Sequence, residues 1–383
     1  MDPTAPALVE RLAGLPGGAS VLRLPERFEG LWLVGGAVRD VLLGAPVRDL
    51  DIAVEGDVEP VAEALGEILE AHGRFGTAEV RTPDGGRVNL ARTRAETYAA
   101  PGALPDVRPA GIEEDLARRD FTVNAIAAAL DGSQLRAVPH AREDLDARVL
   151  RVLHPRSFED DPTRLLRLAR YETRLGLAVE PETASLARAA TLRTVSGDRV
   201  GNEVRLALAE PDPVASLGAA ARWGGPPVPA PDEALATAGL ALLPADGRPD
   251  LLVLGAAGAD ERHLLDLGFR SGDARRAAAA GRARELERRL RAARRPSDIA
   301  AAARGEMPEA VALAGALGAQ EAARAWLEDL RHVRLGISGR DLLEAGVPEG
   351  PEVGRRLEAV LARRLDGELA PSREAELAAA LAA

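Results

Sequence analysis

The chain has 383 residues, contains no cysteine and no lysine, and carries a formal net charge of −11. Such a length accommodates about two to four structural units. The composition excludes disulfides, thiolate chemistry, lysine-based covalent catalysis and a Walker-type phosphate loop. The acidic balance argues only weakly against a nucleic-acid partner, because positive charge can be clustered locally. We find no apolar run that would span a membrane and no basic-start signal peptide, so a cytoplasmic location is expected.

Residues 31–54 predict a compact unit of alternating strand and helix. An apolar run is ended by two glycines, and a short helical stretch is ended by Gly44 and Pro46 before a second apolar run. The predicted segments are, in order, the strand Leu31–Val34, the turn Gly35-Gly36, the helix Ala37–Leu43 and the strand Ile52–Val54. The pattern indicates an α/β arrangement at this point of the chain.

Two aspartates at the start of the second strand suggest chemistry. Strand alternation places Asp49 and Asp51 on one face, where their mutual repulsion is most easily tolerated around a divalent cation. The glycines allow close approach to a ligand, and the helix that follows directs N–H groups and Arg39 toward an anion. Either feature alone is most often a simple turn or a solvated strand end. Together they favour a metal-dependent nucleotide enzyme.

This stretch also resembles a known family. The sequence Gly35-Gly36-Ala37-Val38-Arg39-Asp40, followed by Arg48-Asp49-Leu50-Asp51, resembles the first motif of class II tRNA nucleotidyltransferases and bacterial poly(A) polymerases, which belong to the polymerase-β-like superfamily. The resemblance implies an α/β nucleotidyltransferase head followed by an all-α neck, body and tail in a seahorse-like arrangement. The implied domains are the catalytic head at 1–150, the neck with a base-reading motif at 151–210, the body at 211–310 and a tRNA-binding tail at 311–383.

The chain after the first motif predicts more of the head. Helical spacing of apolar residues predicts an amphipathic helix over 57–72, and a Pro-Asp-Gly-Gly turn predicts a hairpin of strands 75–81 and 87–92. Members of the family often carry a further acidic residue on the second hairpin strand, where this chain has Asn89. Glu79 on the partner strand is a possible substitute, with a structural role favoured.

Residues 93–112 contain three prolines and two glycines and predict a long loop. The resemblance implies a functional loop, which CCA-adding enzymes need to switch to A addition and which CC-adding enzymes have shortened. The full length seen here favours CCA addition or A addition over CC addition.

A second motif, Arg118-Arg119-Asp120-Phe121-Thr122-Val123-Asn124, matches the family pattern. Surface ion pairing of the arginines with residues 113–115 is the simpler interpretation. The resemblance instead implies that Arg119 holds triphosphate or sugar, with Asp120 and Asn124 on the sugar hydroxyls or in orienting roles. Asn124 precedes an apolar stretch that we predict as a helix over 125–130, where a buried amide needs a partner.

A third motif spans residues 151–171. Pro162 after two aspartates predicts a helix start, and Arg164, Arg167 and Arg170 then share one helical face. Spacing alone favours a solvated basic face. The resemblance implies that Asp161 and Arg164 read the base, with Arg167 and Arg170 in support. A carboxylate accepts from the exocyclic amino groups of cytosine and adenine, which uracil and guanine lack at that position.

The remaining chain is less specific. Segment 137–141 departs from the family motif thought to couple head and neck, and His140 there is predicted to be structural. The proline-rich stretch 211–232 predicts a linker or domain boundary, and helical periodicity dominates beyond it. The arginine-dense helix predicted at 275–295 suits RNA phosphates and a glutamate-paired surface about equally.

The resemblance therefore implies an enzyme that adds CCA to the 3′ end of tRNA from CTP and ATP and releases pyrophosphate. Asp49 and Asp51 would hold Mg²⁺, and the implied triphosphate-binding residues are Gly35, Gly36, Arg39 and Arg119. We expect tRNA, CTP and ATP as partners, with no membrane and no obligate protein partner. An A-adding enzyme or poly(A) polymerase remains the nearest alternative. An RNA-binding protein with a decayed head is a further alternative, supported only by Asn89 and segment 137–141.

Overall fold

The computed structural model describes residues 5–47, 49–73, 76–225 and 228–383. These residues form two compact units, one comprising the chain up to residue 195 with 223–225, the other comprising 196–222 and the chain after 225. Arg48 of the first motif, the start of the predicted hairpin at Phe75, and Pro226 and Pro227 of the predicted linker lie outside the described residues. The division into head, neck, body and tail stays a prediction.

The first unit is built on a mixed β-sheet. Its strands are β1 Leu31–Val34, β2 Leu50–Val54, β3 Glu67–His72, β4 Thr77–Arg81, β5 Arg87–Arg92, β8 Ile126–Ala129 and β9 Leu135–Ala137, with smaller pairs formed by β6 Arg94–Thr97 with β7 Asp106–Pro109 and by β10 Val149–Leu150 with β11 Ala178–Val179. Within the described part of the unit, the large sheet has the strand order β3-β4-β5-β2-β1-β8-β9. Strands β2 and β5 run parallel, and β1 is antiparallel to both β2 and β8.

Helices cover this sheet and extend beyond it. They are α1 Ala5–Leu12, α2 Gly18–Val21, α3 Gly36–Leu42, α4 Val58–Leu65, α5 Ile112–Ala117, α6 Ala141–Asp146, α7 Ser157–Asp160, α8 Arg164–Leu175 and α9 Pro181–Ala189. The predicted strand–turn–helix–strand over 31–54 is confirmed by β1, α3 and β2. One face of the sheet packs against α5, where Trp32 and Val34 of β1 meet Ile112 and Leu116. This packing stabilises the carboxyl end of β1 and the turn that follows it.

Two predicted helices are wrong. The helix predicted over 57–72 ends at Leu65, and the chain continues as edge strand β3 after Gly66. A side chain at Gly66 would collide with the carbonyl oxygen of Arg81, so the glycine permits a close backbone approach. The helix predicted over 125–130 is strand β8, which pairs with β1 on one side and β9 on the other. A short, fully buried apolar run carries no periodicity that separates helix from strand.

The predicted loop over 93–112 is partly ordered structure. Strands β6 and β7 pair with Arg94 opposite Pro109 and Thr97 opposite Asp106, which leaves 98–105 as the connection. The high content of proline and glycine had hidden an alternating pattern in which Arg94, Glu96 and Tyr98 share one side of the strand. The segment is therefore a hairpin arm with a loop at its tip.

Beyond residue 195 the described chain contains helices and no strand. The α-helices are α10 Gly197–Leu208, α11 Pro213–Gly224, α12 Glu233–Leu240, α13 Pro249–Ala256, α14 Glu261–Asp266, α15 Ser271–Ala280, α16 Ala283–Ala292, α17 Pro296–Ala302, α18 Pro308–Ala314, α19 Gln320–Glu328, α20 Gly339–Glu344, α21 Pro351–Leu365 and α22 Arg373–Ala382. This confirms an α/β head followed by an all-α region. No helix in the described ranges is long and apolar enough to cross a bilayer.

Two details of this helical region differ from prediction. Helix α11 occupies most of the proline-rich stretch predicted as a linker. The arginine-dense helix predicted near 275–295 is divided into α15 and α16 around Gly281. Several of its arginines are paired with glutamates, among them Arg276 with the fully buried Glu309 and Arg291 with Glu287. The pairing explains part of the arginine density without a nucleic-acid partner.

Candidate active site

A polar cavity of about 380 Å³ lies in the first unit. It is lined by nine of the twelve residues predicted from the sequence, namely Gly35, Gly36, Asp51, Arg119, Asp120, Asn124, Asp161, Arg164 and Arg167. Three motifs that are far apart in the chain therefore meet at one place. A larger cavity of about 600 Å³ lies in the second unit and contains none of the predicted residues. We take the polar cavity as the candidate site because the chemistry-bearing residues converge there.

The glycine turn forms one wall. Gly35 follows β1 with φ 67° and ψ −133°, a backbone conformation that favours glycine. A Cβ at this position would lie 3.1 Å from Nη1 of Arg119 and 3.9 Å from Oδ2 of Asp51. The turn thus brings the backbone close to a guanidinium and a carboxylate at once. A larger residue would strain the backbone and displace Arg119.

The acidic edge of the site stands at the start of β2. The parallel register of β2 and β5 places Asp51 opposite Asn89, whose Nδ2 donates to Oδ1 of Asp51 at 3.0 Å. Burial raises the pKa of Asp51, and the charge of Asp49 adds to this. The Asn89 hydrogen bond and the Arg119 charge only partly oppose the rise. The two aspartates therefore interact electrostatically, although Asp49 is exposed and does not line the cavity.

These residues fit a magnesium ion that is completed by substrate. Mg²⁺ is commonly bound by one or two carboxylates together with phosphate oxygens. The described residues contain no cluster of three or more acidic or histidine side chains suited to a metal. Asn89 serves as a donor to Asp51, and Glu79, its cross-strand neighbour, is paired with Arg87 at 2.9 Å. Asp49 and Asp51 are therefore the described carboxylates at this edge that would hold a metal.

A buried carboxylate holds two arginines beside this edge. Asp115 is almost fully buried in α5 and accepts from Nε and Nη2 of Arg118 at 2.9 and 2.7 Å and from Nη2 of Arg119 at 2.9 Å. Burial raises the pKa of Asp115, but the charges of Arg119 and Arg118 more than offset this and hold the pKa below its ordinary value. Arg119 is thereby presented to the cavity next to Gly35. The ion pairs predicted with residues 113–115 exist, but they are internal and position the arginines.

A second buried network forms the floor of the site. Arg39 donates through Nη1 to Oδ1 of Asn124 at 2.6 Å, and Nδ2 of Asn124 donates to Oδ1 of Asp120 at 2.9 Å. Burial raises the pKa of Asp120, but the Arg167 charge and the Asn124 hydrogen bond more than offset this and hold the pKa below its ordinary value, so the carboxyl stays ionised. The amide of Asn124 thus has protein partners on both sides. The Asn124 amide therefore does not require a ribose as its hydrogen-bond partner.

Arg39 was predicted to bind triphosphate, but it is buried and does not line the cavity. Only 2% of the residue is exposed, and its guanidinium is bound by Asp40 as well as Asn124. Its Cζ also lies 5.4 Å from the ring centroid of Tyr171. This geometry does not support direct triphosphate binding by Arg39. The residue instead supports Asn124 and Tyr171 from behind the cavity.

Asp161 and Arg164, the pair predicted from the sequence to read the base, also line the cavity. Arg164, the first residue of α8, donates through Nη1 to the Ser157 hydroxyl at 2.6 Å and through Nη2 to the carbonyl oxygen of Arg118 at 2.7 Å. Oδ1 of Asp161 accepts from the amide and hydroxyl of Thr163 at 3.1 and 2.7 Å. Both side chains line the cavity in orientations that local bonds maintain. The pair can present an acceptor and donors together.

The remaining arginines of α8 are not a solvated stripe. Nη1 of Arg167 lies 3.7 Å from Oδ2 of Asp120. Arg170 does not line the cavity, but its guanidinium lies 5.6 Å from the ring centroid of Tyr171, within the range of cation–π attraction. Arg167 and Arg170 therefore face Asp120 and Tyr171, two residues of the cavity lining.

The sequence prediction missed several cavity residues, namely Arg94, Glu96, Tyr98, Pro105, Arg118 and Tyr171. Arg94 and Glu96 lie on β6 and Tyr98 directly follows it, and the alternation of these three residues was the available signal. Tyr171 follows the arginine series and packs edge-on against Phe121 with ring centroids 5.8 Å apart. Its position depends on a contact across 50 residues of chain, which no local pattern encodes.

Comparisons with known proteins agree with the site. Residues 31–151 match the poly A polymerase head domain. The A-adding tRNA nucleotidyltransferase of Geobacter sulfurreducens is 35% identical over 384 residues, which cover 89% of this chain and 44% of that protein. The CC-adding tRNA nucleotidyltransferase of Deinococcus radiodurans is 41% identical over 201 residues, which cover 51% of this chain and 54% of that protein. The chain thus spans about half the length of the curated relatives it matches.

Among solved structures, an apo form of a CCA-adding enzyme superposes with a TM-score of 0.80 at 26% identity, covering 98% of both chains. The similarity therefore extends from the head domain through the helical region. Residues 31–151 thus match the poly A polymerase head domain, and the chain as a whole is similar in sequence to tRNA nucleotidyltransferases and in fold to CCA-adding enzymes.

Proposed function

We propose that this chain is a template-independent tRNA nucleotidyltransferase that adds CCA to the 3′ end of tRNA. The 3′ hydroxyl attacks the α-phosphate of CTP or ATP, the bond to the β-phosphate breaks, and pyrophosphate leaves. The observation that carries the proposal is the convergence of an aspartate edge, a held arginine and an Asp/Arg pair on one cavity. These three parts suit metal, triphosphate and base.

The acidic edge takes the metal in this mechanism. Asp49 and Asp51 would hold Mg²⁺, which when bound lowers the pKa of the attacking hydroxyl and offsets charge on the phosphates. Arg119 lies at the glycine turn, 3.1 Å from the position of a Gly35 Cβ, and supplies a fixed positive charge for the triphosphate. Gly35 and Gly36 leave the space in which phosphate oxygens approach the backbone.

Asp161 and Arg164 select the base in this mechanism. Asp161 accepts from the amino group of cytosine or adenine, and Arg164 donates to a ring nitrogen or carbonyl. Because Ser157 and the Arg118 carbonyl orient Arg164, its remaining donors point in one direction. Arg167 and Arg170 support the site through Asp120 and Tyr171. Asp120 and Asn124 line the cavity with Arg39 behind them, and we assign them to the sugar of the nucleotide.

A second candidate is addition of the terminal A alone. The relative that covers most of this chain, from Geobacter sulfurreducens, is named an A-adding enzyme, and it is more similar in sequence than the CCA-adding structure. The hairpin arm over 94–109 is fully formed, which supports A addition and CCA addition alike against CC addition alone. CTP use is therefore the feature that separates the two candidates.

We assign contact with the body of tRNA to the helical region. A chain of this net charge needs local positive surface for RNA, and that surface depends on arginines beyond those neutralised by glutamate. We leave Arg276 and Arg291 out of this role, because their charges are already paired with Glu309 and Glu287. Arg284 and Arg288 of α16 are our candidates for phosphate contact, because Arg289 also pairs with a glutamate, Glu306.

Pyrophosphate release with tRNA, CTP, ATP and Mg²⁺ tests the proposal. Asp49→Ala should reduce release by about 1000-fold or more, since the metal loses a ligand, while tRNA binding is retained. Glu79→Gln is a matched control, because Glu79 is an acidic residue of the same sheet that pairs with Arg87. Full release by Asp49→Ala would contradict the metal assignment. Binding of tRNA without release by the unmodified chain would indicate an RNA-binding protein with a decayed head.

A further inference from the structure

The buried carboxylate of Glu96 connects the hairpin arm over 94–109 to the candidate site. Oε1 of Glu96 accepts from Nε of Arg94 and Nη1 of Arg118, each at 3.0 Å, while Oε2 accepts from the hydroxyl of Tyr98 at 2.8 Å. Only 7% of the Glu96 side chain is exposed. Both oxygens are thus engaged, and the direction of the Tyr98 side chain is set by a partner that is itself held by two guanidinium groups.

The loop at the tip of the arm is attached beside the base-reading pair. The amide of Gly102 donates to the carbonyl oxygen of Glu159 at 3.2 Å, two residues before Asp161. Gly102 has φ 73°, and a Cβ there would lie 2.6 Å from Oγ1 of Thr194. This close approach admits only glycine without a shift of the loop. The arm is therefore held at both ends of the segment 98–102.

Tyr98 lies between these two attachments and lines the cavity together with Asp161 and Arg164. Burial raises the pKa of Tyr98, and the neighbouring Glu96 charge raises it further. The phenol therefore remains protonated and continues to donate to Glu96. The ring therefore has a fixed position on the wall of the cavity that Asp161 and Arg164 also line.

We propose that Tyr98 is a specificity-determining residue that contacts the face of the incoming nucleobase, with Glu96 and Gly102 as positioning residues. The inference rests on the proposed function. Asp161 and Arg164 then read the edge of the base, and the aromatic ring of Tyr98 supplies a flat apolar surface for its face. A purine offers more surface to stack than a pyrimidine, so Tyr98 contributes more to the binding of ATP than of CTP.

The test compares Tyr98→Ala and Tyr98→Phe in the full chain. Stacking on an aromatic side chain predicts a rise of about 10- to 100-fold in the KM for ATP in Tyr98→Ala, with a smaller rise for CTP. Tyr98→Phe keeps the ring and should stay within about 3-fold of the unmodified enzyme. Leu104→Ala is the matched control, because Leu104 lies on the same loop, is 76% exposed and does not line the cavity.

Calorimetric titration of ATP and CTP in the absence of tRNA gives a second readout that does not depend on transfer. The Kd for ATP should rise in Tyr98→Ala and remain near the original value in Tyr98→Phe and Leu104→Ala. Glu96→Gln should raise the KM for both nucleotides with a smaller change in kcat, because it weakens the charged bonds from Arg94 and Arg118 that hold the arm at the site. Equal loss in Tyr98→Ala and Tyr98→Phe would overturn base stacking, as would unchanged ATP binding in Tyr98→Ala. An unmodified chain that binds nucleotides through Tyr98 but transfers none would refute the proposed function and leave this inference standing.

Discussion

Replacing Asp115 by asparagine removes the charge that holds two arginines beside the cavity. The carboxylate accepts three bonds from Arg118 and Arg119 and a fourth from the backbone amide of Arg94 at 3.2 Å. Asparagine keeps the shape, but it offers one oxygen and turns a second donor toward a guanidinium. Arg119 then loses its fixed position next to Gly35.

The expected cost follows from the burial of the three groups. Breaking a fully buried ion pair costs about 3–5 kcal/mol, because an uncompensated charge remains. The side chains of Arg118 and Arg119 are 21% and 17% exposed, so water recovers part of this cost. We expect a loss of about 2–3 kcal/mol in local stability. Hydrogen exchange should therefore accelerate about 30- to 150-fold in peptides covering 112–124.

The pH dependence has a definite sign. The folded pKa of Asp115 lies below its ordinary value, so its ionisation stabilises the first unit above the ordinary pKa. That contribution is lost as the pH falls from the ordinary pKa of about 4 through the lower folded value. Acid should weaken the protection of 112–124 in the unmodified chain, and this dependence should shrink in Asp115→Asn.

A matched control separates this effect from general destabilisation. Asp246→Asn breaks a bidentate but exposed pair with Arg331 in the second unit and should leave exchange in 112–124 unchanged. The KM for CTP and ATP should rise about 10-fold in Asp115→Asn, since Arg119 is released. If protection of 112–124 in Asp115→Asn stays within twofold of that in the unmodified chain at pH 7, the inference from burial and hydrogen bonding is wrong.

Three further changes test separate parts of the site. Asn124→Ala leaves donors of Arg39 without an acceptor and should cost about 2–3 kcal/mol by thermal unfolding of the first unit. Gly35→Ala should raise the KM for both nucleotides at least about 10-fold, whereas Gly44→Ala, at a similar φ of 69° with open space around it, should affect stability alone. Arg164→Lys cannot reproduce both of its oriented bonds and should lower the preference for CTP over UTP about 10-fold; unchanged selectivity would remove Arg164 from base reading.

The local parts of the site were predictable because short-range patterns encode them. The run from β1 to β2 has strand, glycine and helix signals within 24 residues, and the alternation of Asp49 and Asp51 needs no knowledge of the rest of the fold. Resemblance then supplied the second and third motifs. The structure adds that all three meet at one cavity.

The errors share a physical origin in contacts between distant residues. Strand β8 is a strand because β1 and β9 flank it, and its alanine-rich sequence is compatible with either structure. Arg39 is an internal support because Asn124, 85 residues away, accepts its hydrogen bond. The Glu96–Tyr98 arm was hidden by the proline and glycine content of its loop. The partners of β8 and of Arg39 are not visible in a local sequence window, whereas the alternation of Arg94, Glu96 and Tyr98 is.

Product analysis at single-nucleotide resolution is the most direct test of the account. Transcripts of tRNA that end before CCA, after C and after CC are offered CTP, ATP or both. The account predicts three additions to the shortest transcript with both nucleotides, and none by Asp49→Ala. Addition of A to the CC-ended transcript alone would select the A-adding candidate. Long A tracts, or no addition to any transcript despite tRNA binding, would contradict the assignment of this chain as a tRNA nucleotidyltransferase.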